Sequence, residues 1–131
     1  MKTLYVTTRK QVEMVDITGD VRVAILEQGV TDGLAVIFTP HTTAAITINE
    51  NADPDVSHDI VMEISKIVPM QDGYRHLEGN SAAHIKSSLF GASETLIISD
   101  SKIILGTWQG IYLCEFDGPR QRRVHVQVVG V

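Results

Sequence analysis

His76, Glu78, Asn80, His84 and Lys86 all fall in one short stretch that opens at Gly73 and closes at Gly91. Imidazole and carboxylate groups this close together can hold a divalent ion or pass protons near neutral pH. Asn80 or Ser81 reads as a helix cap, accepting hydrogen bonds from free amides, after which Ala82, Ile85 and Leu89 recur at helical spacing on one apolar side. His84, Ser81 and Ser88 then face the other way. His76 and Glu78, two apart and ahead of the cap, share a face if that segment is extended. The polar groups thus converge on a loop and a helix N-terminus, where anions and metals bind readily. The spacing is not that of the His-Glu-x-x-His helical metal pattern, and the plainer alternative is a His84 that only packs beside the cap.

Three other constellations carry chemistry. His41, with Thr42 and Thr43, follows Pro40 at the end of an apolar run, where a scaffold can fix a side chain at the rim of a cleft. Alone it reads as a surface histidine; it joins a site only if His76 and His84 meet it in space, and a third imidazole would leave an open metal position for water or substrate. Glu50 and Asn51 end the next strand, with Glu50 as general base, metal ligand or orienter of a histidine, or simply as part of a polar turn. Gly106-Thr107-Trp108-Gln109-Gly110 can offer backbone amides to a phosphate while Trp108 stacks on a ring and Gln109 reads a polar edge. Its alternative is a glycine-relieved turn with a core tryptophan. His58 falls on the solvated side of a helix, and His125 shares a strand face with Arg123 and Gln127. Arg120, Arg122 and Arg123 form either an anion patch or a charged turn at a subunit contact.

The elements that must position these groups can be read from pattern. Leu4 to Val15, rich in Val, Thr and Tyr with a break at Arg9-Lys10, predicts two strands in a hairpin. Thr18 is placed to cap a helix that turns Val21, Ala24 and Ile25 inward and stops at Gly29. The run Gly33 to Phe38 predicts a strand buried on both faces, and the alternation after His41 a half-buried strand ending at Glu50-Asn51. Asp53-Pro54-Asp55 starts a helix with Val56, Ile60, Ile64 and Ile67 on one stripe. After the second of two consecutive helices, Thr95 to Ser99 and Lys102 to Leu105 form a hairpin, and Ile111 to Glu115 and Arg123 to Val129 two more strands. Strands and helices in blocks, in the order ββαββαα followed by three or four strands, predict an α+β fold with a largely antiparallel sheet or sandwich.

At 131 residues, 44% apolar and 21% charged, the chain is sized for one domain, residues 1–131. A net charge of −5 with no cluster of Lys or Arg argues against nucleic acid as a partner. No apolar run approaches the roughly 20 residues that span a bilayer, and the first residues lack a signal-peptide core, so no membrane association and a cytoplasmic location are expected. The lone Cys114, flanked by Tyr112, Leu113 and Phe116, reads as a buried strand thiol rather than a catalytic one.

Taken together, His41-Thr-Thr-Ala-Ala-Ile-Thr-Ile-Asn-Glu50-Asn51, His76-x-Glu78-x-Asn80, Ala83-His84-Ile85-Lys86 and Gly106-Thr-Trp-Gln-Gly-Ile-Tyr-Leu resemble the YjbQ-like family, also called the secondary thiamine-phosphate synthase family. The resemblance runs over essentially the whole chain. It implies an α+β protein built on a β-sandwich, forming a homotrimer. It also implies a secondary transferase activity: the nitrogen of a thiazole phosphate attacks the methylene of a pyrimidine pyrophosphate, and pyrophosphate leaves. Such a step needs charge stabilisation of the leaving group and a stacking surface. Carried over by position, the resemblance singles out His41, Glu50, Asn51, His76, His84, Trp108 and Gln109; the expected catalytic residues are Glu50, Asn51, His76, Trp108 and Gln109, the expected substrate or anion contacts Asn80, Lys86 and Thr107, and His41, His76 and His84 are expected to converge on a Zn or Mg ion or on an anion. A metal-dependent hydrolase with Glu50 as base, and a non-catalytic trimeric small-molecule binder, are the competing functions.

Overall fold

The computed structural model describes residues 1–131 as two antiparallel sheets packed face to face with three helices. In chain order the elements are β1 (Lys2–Thr7), β2 (Glu13–Asp16), α1 (Thr18–Glu27), β3 (Gly33–Phe38), β4 (Ala44–Glu50), α2 (Pro54–Ile67), α3 (Ser81–Phe90), β5 (Ser93–Ser99), β6 (Lys102–Ile103), β7 (Gln109–Glu115) and β8 (Gln121–Gly130). One sheet has the strand order β1-β8-β3-β5-β6 and the other β2-β7-β4. The expected α+β sandwich and its order of elements are thus observed.

The period of two along each strand sorts side chains between compartments. Ala44 and Ile46 of β4 and Ile111 and Leu113 of β7 enter the main core between the sheets, against Ala35, Ile37, Val124 and Val126. Their neighbours Ala45, Tyr112, Cys114 and Phe116 point the other way into a smaller cluster that Ala83 and Phe90 of α3 help close. The three-stranded sheet is therefore covered on both sides. The five-stranded sheet is not: Tyr5, Leu34, Val36, Phe38, Ile97 and Val129 stand exposed on its outer face. The helix α1 touches strands of both sheets and lends Val21, Ala24 and Ile25 to the main core, ending at a left-handed Gly29.

Four local expectations are corrected. β1 and β2 do not form a hairpin but enter different sheets, β1 against β8 and β2 against β7, because each finds a longer partner there than the other. Thr18 does not cap α1: its hydroxyl donates to Asp16 and accepts from the Ile111 amide, tying the helix start to β7. β3 buries only Gly33, Ala35 and Ile37, so its continuous apolar run has one face in the core and one outside. In α3 the buried residues are Ala82, Ala83, Lys86 and Ser87, while Ile85 and Leu89 stay exposed, because small side chains let the helix lie close on β4. The start of α2 matches its signal: Asp53 caps the amide of Asp55 and Pro54 takes the first position. The β5–β6 turn is also as expected, with Asp100 and Ser101 both at positive φ, the pattern that suits a two-residue hairpin.

Candidate functional site

The helix α3 begins after a turn, His76 to Gly79, closed by the Gly79 amide on the His76 carbonyl. This turn, rather than an extended segment, brings His76 Nε2 to 4.0 Å from Glu78 Oε2. The His76 and His84 rings then meet edge to face, with centroids 5.4 Å apart. Beside them lies an open depression of about 410 Å³, lined by Tyr74, Arg75, His76, Ser81, His84 and Ile85. Asn80 occupies the cap position but does not cap with its side chain. Its Nδ2 donates instead to Asp117 Oδ2 at 2.9 Å, and its Oδ1 is buried without a partner. The Ala83 amide donates to the Asn80 carbonyl at 3.0 Å, which leaves only the Ser81 and Ala82 amides for something other than a cap.

His84 also lines a second depression of about 360 Å³ together with His41, Thr42 and Ser87. The Ser87 hydroxyl donates to the Thr42 carbonyl at 2.5 Å, fixing α3 to the start of β4. His41 Nε2 accepts the Arg123 backbone N–H at 2.9 Å, which leaves Nδ1 to carry the ring proton. Burial, followed by the charges of Arg122 and Arg123, lowers the His41 pKa, so the ring is held neutral. The expectation of His41 as a metal ligand is corrected accordingly: one nitrogen is engaged with the backbone and the other is a donor, a better match to an anion than to a cation.

Lys86 was expected to supply positive charge to a substrate. It is instead turned into the protein, 3% exposed, with its ammonium 6.0 Å from the centre of the Phe116 ring, and it lines neither depression. Burial lowers its pKa. Arg75, which the sequence did not single out, is the cation at the His76–His84 depression.

The remaining candidates sit elsewhere. Glu50 and Asn51 end β4, and Gln109, paired with Glu50, begins β7, whereas His41 precedes the opposite end of β4. Six residue steps at about 3.3 Å separate the two ends of β4 by about 20 Å, so one chain does not bring Glu50 or Trp108 to the histidines. At this far end Glu50 Oε2 accepts the Asp53 amide at 3.2 Å, and Asn51 Nδ2 donates to Asp16 Oδ2 at 3.2 Å. The Asn51 amide donates to the Trp108 carbonyl at 3.0 Å. Gln109 folds its Oε1 onto the Gly106 amide at 2.8 Å and gives its own amide to the Gly106 carbonyl. The loop is closed on itself, and two of the amides proposed for a phosphate are already used. Thr107 is exposed, and Trp108 is a 62% exposed indole rather than a core tryptophan.

No group of three His, Cys, Asp or Glu side chains lies close enough to hold a metal ion. The pair His76 and His84, with Glu78 near His76, falls short of the three or four protein ligands typical of zinc, and magnesium prefers oxygen. The expected ion therefore does not fit the donor set of a single chain.

A two-sheet α+β sandwich carrying an imidazole pair at a helix start and an exposed indole at the far strand end defines the class. The chain belongs to the family described as UPF0047 protein YjbQ-like, which it matches over residues 2–131. It is 58% identical over 125 residues to a UPF0047 protein of Methanocaldococcus jannaschii, covering 95% of this chain and 91% of that one. It is 52% identical to the UPF0047 protein YugU of Bacillus subtilis, covering 99% of each. A crystal structure of a YjbQ/UPF0047 family protein from Clostridium acetobutylicum superimposes with a TM-score of 0.97 at 53% identity, covering 98% of this chain and 100% of that one. A YbjQ-like protein from Sulfolobus solfataricus does so with a TM-score of 0.95 at 34% identity, covering 99% and 96%.

Proposed function

We propose that the N-terminal end of α3 binds the phosphate or pyrophosphate of a small molecule, and that the chain acts as a transferase of the thiamine-phosphate synthase kind. The observation that carries this is the His76–His84 pair facing an open depression with Arg75, at a helix start whose own cap side chain is turned away. Free amides, the helix dipole, a guanidinium and imidazole N–H groups are donors suited to a leaving pyrophosphate. In the reaction the thiazole nitrogen forms a bond to the pyrimidine methylene carbon as the carbon–oxygen bond breaks, the electron pair leaving with pyrophosphate. No step is assigned to a metal.

The test is turnover of the pyrimidine pyrophosphate and thiazole phosphate by purified protein, beside calorimetric titration with inorganic pyrophosphate. Wild type should turn over and bind, and the His76→Ala/His84→Ala variant should do neither. Turnover no faster than that variant rejects the transferase. Pyrophosphate binding lost in the variant without any turnover supports the second reading, a small-molecule binding protein, which the shallow form of both depressions favours.

The same proposal takes the assembly to be a homotrimer packed through the outer face of the five-stranded sheet. Ile97, Leu34 and Val129 lie side by side on three neighbouring strands there, an apolar band of the kind that marks contact surfaces. Arg123, which holds His41, stands exposed on β8 beside Tyr5 of β1, so packing on this face would put the His41 end of the site near a subunit boundary.

A further inference from the structure

We propose that Lys86 is a covalent site, its amine forming an imine with the carbonyl carbon of a short, uncharged aldehyde. The site lies apart from the α3 end read above as an anion site, since Lys86 lines neither depression there. A lysine turned into a protein is ordinarily paired with a carboxylate. Lys86 is 3% exposed, yet its ammonium enters no ion pair. What faces it is the Phe116 ring, 6.0 Å away at the centroid. That distance is the outer limit of a cation–π contact, and phenylalanine is a poorer ring for one than tryptophan. Phe116 in turn meets Phe90 edge to face at 5.1 Å, and Phe90 stands one turn past Lys86 on α3. The acids next to Phe116 in the chain are engaged elsewhere, Glu115 with Arg122 and Asp117 with Arg120 and Asn80. Of the other polar groups in the cluster, the Tyr112 hydroxyl is given to the Glu50 carbonyl and the Cys114 thiol is sealed.

Two polar atoms where α3 meets Phe116 and Asp117 are thus left unmatched. Asn80 Oδ1 is the one fully enclosed side-chain nitrogen or oxygen of the chain without a partner. Lys86 Nζ makes no hydrogen bond either but is not enclosed in that way, so the little surface Lys86 keeps includes its amine. Burial alone acts on the proton affinity of this amine, and lowers it. A desolvated amine with no anion to hold its proton, still touching solvent, is the form of lysine that attacks carbonyls. In the step, the nitrogen lone pair bonds to the carbonyl carbon while the C=O π pair moves to oxygen, and a proton passes from nitrogen to that oxygen. The nitrogen pair then forms C=N as the C–O bond breaks. Oxygen leaves with that bonding pair and takes the second N–H proton, so amine and aldehyde give imine and water. No oxidant or reductant is consumed. The aldehyde is short because the opening at Lys86 is small, and uncharged because no second cation acts on the amine.

The wild-type chain carries its own reference, because its other four lysines, Lys2, Lys10, Lys66 and Lys102, are all exposed. Purified protein is treated near neutral pH with butanal and cyanoborohydride, which reduces an imine to a stable secondary amine, and each lysine is read by peptide mass spectrometry. Lys86 should be alkylated at least about fivefold faster than any of the other four, because a desolvated amine is more often free of its proton. Equal or slower labelling of Lys86 overturns the proposal and means that its ammonium stays charged over Phe116. In the urea-unfolded chain the preference should vanish. A preference that survives unfolding belongs to the local sequence and equally overturns the site. Without cyanoborohydride the adduct should be lost on dialysis, since an imine returns to amine and aldehyde in water; a permanent adduct rules out imine chemistry. Every reading is taken on wild type, so no variant has to fold. Pyrophosphate binding at the α3 end stands or falls on its own titration, so the two readings fail separately.

Discussion

Arg122 and Glu115 form an ion pair wholly inside the sandwich, one from each sheet. Burial would raise the Glu115 carboxyl, but hydrogen bonds from Arg122, the Asp117 amide and Thr8, with the Arg122 charge, outweigh it and hold the group below the usual carboxylate range. Arg122 also donates to both the carbonyl and the hydroxyl of Thr43, just ahead of β4. Removing one partner strands the other charge in a dry interior, so Glu115→Gln should cost about 3–5 kcal/mol in urea unfolding, while an apolar replacement of both should recover much of that loss. The contribution of Glu115 is present above the ordinary carboxylate pKa and disappears as pH falls through the lowered folded value. The wild type should therefore show an acid-side loss of stability that Glu115→Gln lacks.

His41 gives a second and separate pH dependence. Its folded pKa is lowered, so the unfolded chain binds the extra proton first as the solution is acidified. The stability tied to neutral His41 is complete above the ordinary histidine value of about 6.5 and is lost as pH falls through the lowered one. Denaturant midpoints measured from pH 7.5 down to about 5 should decline more in wild type than in His41→Gln, which keeps an acceptor for the Arg123 amide but does not titrate. Equal slopes would remove His41 from the account.

How far the sequence reveals this molecule depends on whether a signal is local. Asp53-Pro54 and the Asp100-Ser101 turn are legible because cap and turn chemistry act within a few residues. The partners of β1 and β2 are not, since nothing in either strand says that its mate lies about a hundred residues on. The outer face of β3 reads as core because an apolar strand face packed in the interior and one left bare by the fold carry the same residues. Arg122 and Glu115 look like ordinary surface charges until two sheets close over them; only the alternation of Arg122 with Val124 and Val126, and of Glu115 with Leu113, hints that they point inward. At the site, His76 and His84 come together as their spacing around a helix start suggests, whereas Glu50, Trp108 and Gln109 share a strand end remote from them. A motif order along the chain carries no information on that distance.

Gly110 tests how tightly the far end is built. A Cβ there would lie 2.3 Å from Asn51 Nδ2, and Asn51 is itself tethered to Asp16 and to the Trp108 carbonyl. Gly110→Ala should therefore push the Asn51 side chain off Asp16 and destabilise by about 1–3 kcal/mol, with a change in Trp108 emission. At Gly33 the clash would be with the Val129 carbonyl at 2.0 Å, backbone that cannot swing aside, so Gly33→Ala should cost more than Gly110→Ala in the same thermal scan. The reverse order would mean that the Asn51 anchor is the stiffer of the two.

Cys114 reports the integrity of the smaller core. Its thiol is fully buried under α3, and burial pushes its pKa up to about 12. Thiolate is the reactive form, so an alkylating reagent at pH 8 should leave the folded chain unmodified and label it only as it unfolds. Labelling rates across urea concentrations should follow global unfolding. Rapid modification in native buffer would show that α3 lifts from the sheet on its own.

The outer face of the five-stranded sheet makes the assembly testable without disturbing the core. Leu34 sits on β3 opposite Ile97 and Val129, half exposed, while its neighbours Gly33 and Ala35 are buried. A glutamate at position 34 points into water in a lone chain and costs little there, but in a packed interface it would place three like charges around one axis with nothing to pair them. Leu34→Glu should therefore keep the native circular dichroism and sediment as a 14.4 kDa chain, whereas wild type should sediment at three times that mass if the proposed trimer forms. Thr95→Glu, on the same outer face one row away, should weaken assembly less because it displaces no apolar contact. If Leu34→Glu sediments like wild type, this face is not where the copies meet, and the apolar band must be covered in some other way.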